Sequence, residues 1–246
     1  MTSPRERFDI LNNFLGFGHP SAPIWFIGLE EAGGWSADPT RDAEMYRLYA
    51  RGWFHLEPGT IADKARSCGR RYTKVYEIMS KIVVAVLGET CAVDWRAYRD
   101  QRLFVEGGEV FQANLYPLGK KSLATWPSEY RDLFDISSIE AYYSAVRETR
   151  LPLLRHLHEQ SQPRITICFG KTAWPDFMAL LNLGHGTREA RGVYFVYSGG
   201  VVLSPFFSYR SIRNADIAML GDHLKSYCAG EQRTGADRWL AFARRG

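Results

Sequence analysis

The sequence predicts an α/β fold: a three-layer α/β/α arrangement around a central, mostly parallel sheet of about four strands. Two observations carry this. Apolar runs without alternation, "PIWFIGL" (23–29) and "RITICFG" (164–170), read as strands buried on both faces. Between them lie segments whose apolar residues recur at helical spacing, and helices alternating with buried strands imply a parallel sheet covered on both sides.

Taken in order, residues 5–15 set Phe8, Leu11 and Leu15 on one helical face, and Gly16 and Gly18 stop that helix. The first strand follows and runs into "GLEEAGGW", residues 28–35. Residues 36–71 are polar and irregular, with one short helical pattern near "AEMYRLYARG", and read as a candidate insertion. From Tyr72 to Leu87, Val75, Ile78, Met79, Ile82, Val83 and Val86 keep helical spacing, and Gly88 stands at the C-terminal cap position. A second strand, "EVFQANLYPLG" (109–119), is predicted to leave the sheet at Asn114. The next helix opens with a capping box, Ser137-x-x-Glu140, and should kink at Pro152. The third strand feeds "KTAWPDFMALLN", and "VYFVYSGGVVLSPFF" reads as two strands turning at Ser198-Gly199-Gly200. A last helix covers "IRNADIAMLGDHLKSY". With no repeat or low-complexity linker, residues 1–246 are read as one domain.

The net charge of +4 and pI near 8.9 suit an anionic partner without requiring one. The N-terminus "MTSPRERFD" does not read as a secretory signal, and the longest apolar runs, such as 82–87, fall far short of a bilayer span. Cys68, Cys91, Cys168 and Cys228 are widely spread with no C-x-x-C pair, so neither zinc nor an iron–sulfur cluster is expected. The expectation is a cytoplasmic protein with reduced cysteines, no membrane contact and no cofactor or metal.

In parallel sheets ligands bind beyond the carboxyl ends of the strands. Four strand exits turn polar or glycine-rich there: Gly28-Leu29-Glu30, Asn114-Leu115-Tyr116-Pro117, Gly170-Lys171-Thr172-Ala173 and Ser204-Pro205-Phe206-Phe207. "GKT" at 170–172 lacks the upstream glycine of a phosphate-binding loop, because Ile165 stands there. His156 and His158 are two apart on a helix and do not share a metal.

The four exits, in this order, resemble the uracil-DNA glycosylase superfamily. There the first strand ends in an acidic or amide residue that positions a water, the second in an asparagine that reads the base, the third in G-x-x-A and the fourth in H-P-S. "GLE" sets Glu30 at the first of these, "ANLYP" supplies Asn114, "GKTA" matches Gly170 and Ala173, and "SPF" stands in place of H-P-S. Arg210 falls where some subfamilies carry an arginine. Two departures stand out: the proline of the first motif is replaced within "EAGG", and Ser204 replaces the histidine of the fourth. The "HPS" at His19-Pro20-Ser21 precedes the first strand and is a coincidence.

The resemblance implies a metal-independent DNA N-glycosylase acting on a deaminated or mismatched base such as uracil. Glu30 would serve the water and the developing sugar cation, with Glu31 the weaker candidate. Ser204 would offer a partial substitute for the donor to the departing base. Asn114 would pair with the base edge and Trp35 would stack on it. Lys120, Lys121, Lys171 and Arg210 would grip phosphates, while Arg66, Arg70, Arg71 and Lys74 read better as a solvated face. Phe206, Phe207 and Tyr209 would form the wedge that fills the gap left by an extruded base, with at least one phenylalanine packed into the core. Two other readings stay open: a nucleic-acid-binding module of the same fold that cleaves nothing, and an enzyme acting on a free nucleotide or nucleoside. Oligomeric state, and single- or double-stranded DNA as the partner, are likewise open at this stage.

Overall fold

The computed structural model describes residues 2–30, 42–68, 74–88, 91, 93–120, 124–184, 188–191, 193–197, 200–208 and 210–232. Ser3 opens the first helix, α1 (Pro4–Asn13), with a full capping box: its hydroxyl accepts from the Glu6 N–H and the Glu6 carboxylate accepts from the Ser3 N–H. The chain then forms β1 (Gly16–Phe17) and β2 (Ile24–Glu30), the predicted buried strand, whose final residue is Glu30. The stretch expected as an irregular insertion holds α2 (Ala43–Tyr49), β3 (Trp53–Phe54) and α3 (Thr60–Cys68). β3 and α3 carry weak sequence signals because one is two residues long and α3 buries only Ile61 among its described side chains.

Helix α4 (Lys74–Leu87) matches its apolar stripe, and Gly88 after it has φ +57°, the left-handed value a C-terminal cap uses. Next come α5 (Trp95–Gln101), β4 (Val110–Tyr116) and α6 (Glu129–Phe134). β4 corrects one expectation: the strand continues through Asn114 to Tyr116, pairing Gly28 with Asn114 and Glu30 with Tyr116. The following helix caps on Ser138 rather than Ser137, through a bond from the Ala141 N–H. It runs as α7 (Ile139–Ala145), a π-helical turn (Val146–Arg150) and α8 (Leu151–Ser161). In place of the kink expected at Pro152, the backbone holds this π-helical turn, ending two residues before the proline. Proline donates no hydrogen bond, and the adjacent Leu151 N–H reaches back to the Val146 carbonyl instead of the usual partner one residue later.

The chain closes with β5 (Ile165–Phe169), a 3₁₀ turn (Lys171–Ala173), α9 (Trp174–Leu180), β6 (Arg188–Arg191), β7 (Tyr194–Tyr197), β8 (Val201–Ser204) and α10 (Asn214–Gln232). Of the predicted turn, Ser198 and Gly199 lie outside the described residues, while Gly200 has φ +75°.

The sheet is mixed, in the order β3-β1-β4-β2-β5-β8-β7-β6. Its centre, β4-β2-β5-β8, is parallel throughout and consists of the strands whose exits the sequence singled out. Antiparallel pairs join β1 to β4, β7 to β8 and β6 to β7 on either side, so the sheet is wider than the four strands expected. Side chains alternate between two cores. Trp25 and Ile27 face the one that takes in α1, α2 and α6–α9; Ile24 and Phe26 face the one built with α3, α4, α5 and α10. Helices therefore cover both faces, as right-handed crossovers require when the chain moves first to one side of β2 and then to the other. Among the described residues no helix is long and apolar enough to cross a membrane.

Candidate functional site

That reversal of direction marks the place where a ligand crevice is expected. From β2 the chain goes on to β4 on one side and from β5 to β8 on the other, and ligands bind beyond the carboxyl ends of the strands at such a junction. Glu30 ends β2 on one side of it and Gly170 follows β5 on the other. Gly170 takes φ +127°, and a side chain there would already be within 3.3 Å of Leu29.

Glu30 does not stand alone. Its Oε2 accepts a 2.7 Å bond from Lys120 Nζ, whose side chain is 0% exposed while that of Glu30 is 13% exposed. The Lys120 ammonium also lies over the rings of Tyr142, at 5.0 Å, and Tyr143, at 5.6 Å. Burial pushes the Glu30 carboxyl above its ordinary value, and the hydrogen bond and charge of Lys120 pull it partly back. Tyr142 is buried, accepts from the Leu118 N–H at 3.0 Å, and has its hydroxyl pushed well up by desolvation, with the Glu30 charge adding in the same direction. Tyr116 stacks edge-on against Tyr143 at 4.9 Å and donates to Asp176 at 2.9 Å, linking the end of β4 to α9. The arrangement is a carboxylate at a water-accessible mouth, backed by a dry cation and walled by tyrosines.

Asn114 lies one register pair deeper, beside Gly28. A Cβ on Gly28 would fall 2.4 Å from Asn114 Oδ1 and 2.8 Å from Phe169 Cζ, so the glycine is what lets this amide and this ring meet over the strand. Gly28→Ala is expected to displace both and cost about 1–3 kcal/mol, read as a lower urea midpoint at unchanged slope. An unshifted midpoint would mean that the two side chains yield freely.

Other expected site residues fall elsewhere. Ser204 is fully buried, its hydroxyl donates to the Pro205 carbonyl, and its own carbonyl accepts from Gly170 N–H and Trp174 Nε1, so it presents no donor to the crevice. Its backbone serves the site, by tying β8 to the turn after β5. Lys120 is not an exposed phosphate contact, because Glu30 and two rings occupy its ammonium. Phe207 is not a wedge: it stacks face to face on Phe169 at 4.4 Å in the core, the outcome anticipated for one of the pair. Phe206 remains 45% exposed, and Lys171 and Arg210 are exposed on the same edge. Arg66 pairs with Asp63 on an exposed helix face, and Lys74 is exposed. Trp35, Glu31, Lys121, Tyr209, Arg70 and Arg71 lie outside the described residues.

One important residue had no sequence signal. Arg150, 2% exposed, spreads its guanidinium over the carbonyls of Asn114 and Leu115 at the end of β4 and those of Leu11, Asn12 and Phe14 at the end of α1. It neutralises the negative end of α1 and fixes the last residues of β4, Asn114 among them. Nothing in "RETRLP" distinguishes this arginine from a solvated one. No protein-family model matches the chain, and no curated protein matches it.

Proposed function

We propose that the chain is a uracil-DNA glycosylase-like hydrolase, of three-layer α/β/α architecture, that cleaves the bond between a base and its sugar in DNA. The observation that carries this reading is Glu30: a largely buried carboxylate at the carboxyl end of β2, the strand beside β5, held by the buried Lys120. Ionised, it takes a proton from water as the water oxygen bonds to the sugar C1′, and its charge opposes the positive charge growing on the sugar. The C1′–N bond breaks and its electron pair leaves with the base. Asn114, fixed beside Gly28, offers both a donor and an acceptor to a base edge. Because burial raises the Glu30 carboxyl, the acid limb of the rate profile should lie above the ordinary carboxylate range.

The position of the Ser204 hydroxyl favours a second reading. With that donor turned to Pro205, the departing base lacks the partner expected from the fourth strand, and a module that binds DNA without cleaving it fits this feature better. Labelled oligonucleotides carrying uracil, hypoxanthine, xanthine or a mismatch, treated with alkali after incubation, separate the two. Base release that falls about 10²-fold or more in Glu30→Gln supports the hydrolase. Absence of release from every substrate, with salt-dependent binding intact, sinks it in favour of the module.

A further inference from the structure

Aromatic rings and cations alternate along the carboxyl edge of the sheet. At the β4 end Tyr143 packs on Tyr116, with the exposed Arg147 guanidinium 5.9 Å from the Tyr143 ring. Beyond β5, Lys171 Nζ stands 5.9 Å from the half-buried Trp174 ring, and Trp174 is moored by its 3.0 Å bond to the Ser204 carbonyl. Past β8 the row ends in Phe206, 45% exposed and 6.2 Å from Phe169. Contacts make the row continuous: Tyr143 to Tyr116, Tyr116 to Asp176, and Trp174 to Ser204. Arg147 and Lys171 form no ion pair among the described residues. The acids, Glu30 and Asp176, sit toward the middle, between these cations.

Resting on the reading of the crevice as a DNA site, we propose that this edge is a track for single-stranded DNA, with bases stacked on Tyr143, Trp174 and Phe206, and phosphates held at Arg147 and Lys171. Three observations favour a single strand. From β4 to β8 the row crosses three interstrand steps, about 14 Å at normal sheet spacing, so several nucleotides are needed to use it and one mononucleotide is not enough. Rings beside cations suit bases already free to stack, whereas bases in a duplex have no open faces to offer. Phe207 is committed to the core, which leaves Phe206, among the described residues, as the one exposed phenylalanine of this loop, a ring for a base to stack on. Arg147 at the β4 end and Lys171 beyond β5 flank Glu30 at the end of β2, which places a phosphate on either side of the reacting sugar.

The test uses the full-length protein and a fluorescent thymidine homopolymer, which holds no deaminated base, so binding is measured without turnover. The strand should bind at least about 10-fold more tightly than its duplex with the complementary homopolymer. Phe206→Ala and Tyr143→Ala should each weaken strand binding by about 5- to 150-fold. Arg147→Ala and Lys171→Ala should each flatten the salt dependence by about 0.7 in logarithmic slope. Phe206, Arg147 and Lys171 are at the surface, so their replacement leaves the fold intact, as a melting curve would verify. Equal or tighter binding of duplex, full displacement by thymidine monophosphate at equal concentration, or indifference to all four variants would overturn the track. Strand binding without base release keeps the track and removes the hydrolase; release from duplex with no strand preference does the reverse.

Discussion

Replacing Lys120 with methionine is expected to destabilise the protein by about 3–5 kcal/mol, because it leaves the largely buried Glu30 without its counter-charge. For a chain of this size that is a fall of about 6–20 °C in Tm. The loss should depend on pH in a definite direction. Burial already raises the Glu30 carboxyl, and Lys120 is what pulls it back, so the variant raises it further. A raised carboxyl contributes stability that is complete below its unfolded value and is lost as pH rises through the folded one. The deficit of Lys120→Met is therefore largest at neutral pH and shrinks in acid, where Glu30 takes up a proton. Glu30→Gln/Lys120→Met should lose less than the two single changes together, by about 0.5–3 kcal/mol. Urea titrations at several pH values measure this. A loss under about 1 kcal/mol that does not vary with pH would mean that water reaches the pair and that Lys120 does not control the charge of Glu30.

Arg150→Met is expected to cost at least about 4 kcal/mol and to lower the urea midpoint accordingly. The guanidinium satisfies carbonyls of Asn114, Leu115, Leu11, Asn12 and Phe14, and each buried carbonyl left bare costs about 1–3 kcal/mol before relaxation. Arg150→Lys keeps the charge but replaces a planar fork with a point, so it should recover no more than about half of that loss. If lysine restored full stability, the residue would act through charge at the end of α1 alone. A specific loss of Asn114 placement would show as amide exchange accelerated at 114–116 in Arg150→Lys under conditions where α4 stays protected.

Much of the frame was legible along the chain. The unalternating runs at 23–29 and 164–170 are short, rich in β-branched and aromatic residues and bounded by glycine or proline, a pattern that reads as strands buried on both faces. The stripe from Val75 to Val86 keeps helical spacing over about three turns. The exits that carry Glu30 and Gly170 follow from the same reading, since a chain leaving a buried strand turns polar where it meets water, whereas Asn114 lies within β4, which runs on to Tyr116. Short elements escaped it. β1 and β3 are two residues each, too brief for any period to register, and they are held by pairing rather than by their own sequence.

Side-chain direction is what only the tertiary structure decided. Sequence assigns Lys120 a positive charge, but Glu30, ninety positions away, and two tyrosines from α7 turn that charge inward and make it a partner of the carboxylate. Phe206 and Phe207 are the same residue type side by side, and the face of Phe169 draws one into the core and leaves the other in solvent. Ser204 sits at the strand exit where sequence order puts it, yet its hydroxyl turns to the next carbonyl and is buried. Arg150 acts on two separate segments, the end of α1 and the end of β4, that meet it only in the folded chain. Local pattern determines which surface a segment must bury and where the chain comes out to water. Which long-range partner meets each polar group depends on contacts between residues far apart in sequence, and no local pattern encodes them.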